Sequence, residues 1–105
     1  MHVVDMRLIQ SPAARKMQTD CRALGHHVGL ELEKVYWWLV TDRQSPTPYE
    51  LTIKVRGLSH RQALAFSRED ILGYRTGQST AAVLGRIREA LQNVRYDVEE
   101  PPVTF

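Results

Sequence analysis

Adjacent histidines, His26 and His27, stand near Asp20, Cys21 and Glu31, and these are side-chain types that ligate metals. None of the spacings that assemble a zinc ligand set is present, and side chains adjacent in sequence diverge. An exposed pair is expected, with His2 and His60 too far along the chain to be brought in by any local pattern. Cys21 is the single cysteine, so it closes no disulfide within the chain. It falls on the apolar stripe of an expected helix, where a free thiol behaves as a small hydrophobe. No serine or cysteine lies in a nucleophile-elbow, caspase-like or papain-like pattern. The stretch Gly73-Tyr-Arg-Thr-Gly77 precedes a helix but lacks the lysine of a phosphate loop and the third glycine of a dinucleotide fingerprint. A helix-breaking turn accounts for its glycines. No catalytic residue, metal or cofactor is assigned.

Trp37 and Trp38 carry more information. They fall in Val35-Tyr36-Trp37-Trp38-Leu39-Val40, a β-branched and aromatic run, and consecutive residues of a strand point to opposite faces. One indole belongs to the core and the other to the far face, with both assignments open at this point. If Trp37 and Leu39 meet the helices, Tyr36, Trp38 and Val40 share the other face with Thr52, Lys54, Ala63 and Ala65. That face is covered either by the N-terminal segment, with Val3, Val4 and Ile9, or by a partner.

The positioning elements follow from caps and periodicity. Ser11-Pro12 opens a helix, with serine as cap and proline in the first turn. Ala13, Met17, Cys21 and Leu24 give its stripe, and Gly25 is its expected left-handed stop. Val28, Leu30 and Leu32 alternate with polar residues, a strand that either continues into Val35–Val40 or is set off by Glu33-Lys34. Arg43 to Tyr49, with Pro46 and Pro48, is a breaker. Leu51, Ile53 and Val55 alternate as a two-faced strand, Gly57 to His60 turns, and Arg61 to Phe66 returns antiparallel. Ser67 caps a short helix expected to fail near Gly73 to Gly77. Val83, Leu84, Ile87, Leu91 and Val94 then mark a longer helix. At the N-terminus, Val3 to Ile9 reads as an edge strand or arm.

These elements describe an α+β fold: a small antiparallel sheet of three to four strands, an N-terminal helix, and one short plus one long C-terminal helix, the helices mainly on one face. The order resembles the α-β-β-β-α outline of double-stranded RNA-binding domains. It shares topology and no motif, since Gln78-Ser79-Thr80-Ala81-Ala82 stands where that family's last helix begins with lysines.

At 105 residues the chain has the size of one domain, read as 1–96 followed by an acidic, proline-containing tail at 97–105. Asp97, Glu99 and Glu100 leave residues 1–96 with all 14 basic residues against nine acids, a balance of +5 dominated by arginine. No apolar run is long enough to cross a bilayer, and Met1 to Gln10 carries Asp5 and Arg7 where a secretory signal needs an apolar core. A cytoplasmic location without membrane contact is therefore expected.

The functional expectation is a non-enzymatic binding or regulatory domain that works through protein–protein contacts, most simply as a homodimer joining sheet faces. The alternative is a nucleic-acid-binding module. In it Lys54, Arg56 and Arg61 meet phosphates while Tyr36 or Trp38 stacks on a base.

Overall fold

The computed structural model describes residues 5–40 and 45–99. In order they form a 3-10 turn (Leu8–Gln10), α1 (Pro12–His27), β1 (Leu32–Leu39), β2 (Tyr49–Val55), β3 (Arg61–Phe66), α2 (Arg68–Thr76) and α3 (Thr80–Glu99). The expected α+β architecture holds, with an antiparallel sheet in the order β1-β2-β3 among the described residues.

Helix α1 begins as its sequence dictates: the Ser11 hydroxyl accepts from the Ala14 N–H at 3.2 Å, with Pro12 in the first turn. Its end differs from the expectation. Gly25 does not stop the helix, which runs on to His27, and the left-handed residue is Gly29 (φ 82°). Leu30 N–H reaches Gly25 O at 2.8 Å and Gly29 N–H reaches His26 O at 3.1 Å, the paired bonds of a Schellman stop. Gly25 serves another purpose. A Cβ there would lie 2.6 Å from Leu32 Cδ1, so the missing side chain lets the helix approach the start of β1. Val28 and Leu30, expected as strand, are instead buried in the connection that follows this stop.

Strand β1 is continuous through Glu33-Lys34, but not regular. Leu32 pairs with Val55 and Lys34 with Lys54, so two steps on β1 match one on β2 and Glu33 is the extra residue of a β-bulge. The bulge shifts the parity of the strand. Leu32 therefore joins Val35, Trp37 and Leu39 on the inner face, although its number is even and theirs are odd. Strand β2 starts at Tyr49, inside the expected breaker, because that ring is buried and its hydroxyl accepts the Asp5 N–H at 2.9 Å. The same bond holds residues 5–10 on the core side, where Leu8 is buried. Val3 and Val4, from the expected N-terminal strand or arm, lie outside the described residues.

Helix α2 ends within the expected stretch, whereas α3 is longer than the sequence suggested. Ser67 and Asp70 form a reciprocal capping box, and α2 passes through Gly73 to end at the left-handed Gly77 (φ 88°). Gly73 is small because Ser79 packs against it; an added Cβ would stand 3.0 Å from the Ser79 hydroxyl oxygen. Helix α3 continues past Arg95 to Glu99, since no glycine or proline intervenes before Pro101.

All three helices take part in one core beneath the sheet. Trp37 donates its indole N–H to Ala14 O at 3.2 Å and meets Phe66 edge-on, with centroids 6.1 Å apart. Tyr74 of α2 donates its hydroxyl proton to the Asp20 carboxylate of α1, which also pairs with Lys16 at 3.0 Å. Burial, then the Asp20 contact, raises the Tyr74 hydroxyl above its ordinary pKa. No helix among the described residues is long and apolar enough to cross a membrane.

Two stability tests follow. Ile87 is fully buried while Leu84 is only half-buried, so Ile87→Ala is expected to cost ~2–4 kcal/mol and Leu84→Ala clearly less, measured by chemical denaturation. Gly25→Ala gains about 1 kcal/mol of helix propensity but forces a methyl into Leu32. Overpacking at ~1–3 kcal/mol outweighs that gain, so the alanine variant is expected to melt below wild type.

Candidate functional site

The bulge and Trp37 together decide what the sheet's other face displays. Across β1, β2 and β3 the register sets Lys34, Lys54 and Arg61 in one row, Tyr36, Thr52 and Ala63 in the next, and Trp38, Glu50 and Ala65 in the last. Trp37 is 9% exposed and Trp38 61%, so the core-facing indole is Trp37. Thr52, at the centre of the open face between Tyr36 and Ala63, is buried by its neighbours.

The five residues singled out from sequence are not equivalent here. Tyr36 and Arg61 are joined: Arg61 Nη1 donates to the Tyr36 hydroxyl at 2.7 Å, and its guanidinium stands 5.9 Å from the ring centroid. Trp38 is two residues from Tyr36 on the same face, one row along the strand. Lys54 is engaged with Glu33 at 3.0 Å, and Arg56, just beyond β2, with Glu31 at 2.8 Å. The hydrogen bond and charge of Lys54 hold the Glu33 carboxyl below the usual carboxylate range. These two cations already have anionic partners, so of Lys54, Arg56 and Arg61 only Arg61 meets no carboxylate among the described residues.

Arg61 belongs to another set of cations. Arg22, from α1, and Lys34 join Tyr36 and Arg61 around a recess of about 350 Å³ that Val35 also lines. Arg22 Nη1 also reaches Leu32 O at 3.4 Å. Sequence reasoning passed over both cations. Lys34 had a usable signal, lying two residues from Tyr36 on one strand, whereas Arg22 comes from a separate element, α1, that local spacing does not connect to Tyr36.

The sheet edges are guarded by side chains. Gln18 donates to Val35 O at 3.0 Å along β1, and Arg86 donates to Ala65 O at 2.8 Å along β3 while covering Phe66, 4.5 Å from its ring centroid.

His26 and His27 occupy the last turn of α1, both exposed, and no group of three or more His, Cys, Asp or Glu is placed to hold a metal among the described residues. Comparison with protein-family models, curated proteins and solved structures found no match.

Cys21 is buried, and that burial pushes its thiol up to about 12 despite the neighbouring Arg22. At pH 8 the nucleophilic thiolate is therefore scarce and shielded. The native protein is expected to react with a disulfide reagent at pH 8 at least ~100-fold more slowly than the denatured chain, followed by thiol absorbance.

Proposed function

We propose that this chain is a non-enzymatic binding domain whose working surface is the open face of the sheet, and that this face closes on a second copy of the chain. The observation that carries the reading is Trp38, an indole 61% exposed on a rigid strand beside Tyr36. Large aromatic side chains of this kind supply most of the energy at interfaces. Charge supports a copy as the occupant. Glu50 stands at the Trp38 end of the face, and Lys34, Lys54 and Arg61 at the other. A twofold axis that reverses strand direction sets the Glu50 end of one copy against the basic row of the next, making the face complementary to itself.

Area limits the strength of the association. Three strands of eight, seven and six residues span about 23 Å by about 14 Å, which falls short of the ~800 Å² per partner of a standard stable interface. A transient dimer is expected, dissociating at about micromolar concentration.

Sedimentation velocity over a concentration series tests the reading. The wild type is expected to pass from monomer to dimer, more weakly at high salt. Trp38→Ala should raise the dissociation constant at least ~30-fold, matching about 2 kcal/mol for a buried aromatic. Trp37→Ala should instead lower folding stability by ~3–5 kcal/mol through loss of a core indole. A wild type that stays monomeric at the highest concentration overturns the second copy as occupant. Salt-dependent retention of an oligonucleotide by that monomer would put nucleic acid in its place.

A further inference from the structure

We infer that the recess between α1 and the β1 side of the sheet is an anion site, and that its ligand is a phosphoryl dianion. The first ground is an imbalance of charge. Lys16, Lys54, Arg7 and Arg56 each meet a carboxylate within ion-pair distance, whereas Arg22, Lys34 and Arg61 meet none among the described residues. Although Arg15, Arg68, Arg75, Arg86 and Arg88 also meet none, only Arg22, Lys34 and Arg61 converge on one recess. These three cations are the ones that line the recess. They come from three separate elements, α1, β1 and β3, so their convergence is a product of the fold and not of a local run of basic sequence.

The second ground is preorganisation. Arg61 is held by the Tyr36 hydroxyl at 2.7 Å and by that ring's face, and Arg22 by Leu32 O at 3.4 Å. Each guanidinium spends one N–H on its anchor and keeps the others for a ligand. The Tyr36 oxygen accepts from Arg61, which leaves its own proton to donate. Three cations and a hydroxyl offer more donors and more charge than a carboxylate can use. They match a dianion with three or four acceptor oxygens, and a recess of about 350 Å³ admits such a group with part of the molecule that bears it.

The inference goes beyond the dimer and stands without it, because all four polar groups belong to one chain. Titration of the ¹⁵N-labelled protein with inorganic phosphate at pH 7.5 and low salt tests it, run on the wild type and on Trp38→Ala. The expected result is saturable shifts at the amides of 34–36 and near Arg22 in both proteins, weaker in the wild type only to the extent that a second copy competes for Lys34 and Arg61. Arg22→Ala, Lys34→Ala and Arg61→Ala should each weaken binding about tenfold or more, while Arg88→Ala, an exposed arginine of α3, leaves it unchanged. Lowering the pH to 5.5, where phosphate is largely a monoanion, should weaken it too. Failure to saturate at tens of millimolar phosphate, or an equal loss in Arg88→Ala, overturns the site. So does binding of an oligonucleotide without terminal phosphate through the same three residues when inorganic phosphate does not bind, since the ligand is then a phosphodiester backbone.

Discussion

Everything displayed by this protein depends on the burial of one indole. Trp37 is enclosed between α1 and the sheet, its N–H satisfied by Ala14 O and its ring set edge-on to Phe66. A buried N–H without a partner is costly, and the Ala14 carbonyl meets it with the second lone pair that its helix bond leaves, so this bond ties the strand's inner face to one position along α1. Once Trp37 points inward, alternation sends Tyr36 and Trp38 outward. The open face, its aromatic pair and its basic row are consequences of that single choice.

The bulge at Glu33 works with it. Without the extra residue, Leu32 would face away from the core while Val35 and Trp37 faced into it, and Gly25 would have no apolar neighbour to receive. With it, Leu32 turns under α1, and Glu33 is left outward, where it engages Lys54. One irregularity thus tightens the contact between helix and strand and also divides the cations of the sheet into a neutralised set and a free set. The free set is the one that meets Arg22 across the narrowed gap.

Most of the architecture was legible because it rests on local chemistry. Ser11-Pro12, the Ser67 cap, the alternation in Leu51–Val55 and the Gly57 turn are short-range signals, and each element they mark is present. The misreadings share a cause. Gly25 looks like a helix stop in one dimension, yet it is a place where another segment, carrying Leu32, comes close. Sequence spacing shows that a glycine is permissive, not which freedom the fold uses. The parity of Trp37 and Trp38 was hidden for the same kind of reason, since the inner face is chosen by partners that are distant in the chain. Pairing of Lys54 and Arg56 with Glu33 and Glu31 depends on the cross-strand register, so which arginines and lysines stay free was not readable from composition.

The guard on the last strand has a further consequence for how the chain can go wrong. Gln18 and Arg22 protect β1 from α1, which precedes the sheet, but the cover on β3 comes from Arg86, a residue of α3 made after it. The three-strand meander joins only neighbours in sequence and can pair before the last helix docks. In that interval the outer edge of β3, carrying Ala63 and Ala65, presents unpaired backbone groups with no charge standing over them. Undocking of α3, whether during synthesis or by mutation of its apolar stripe, therefore turns the sheet into a template for strand-to-strand aggregation.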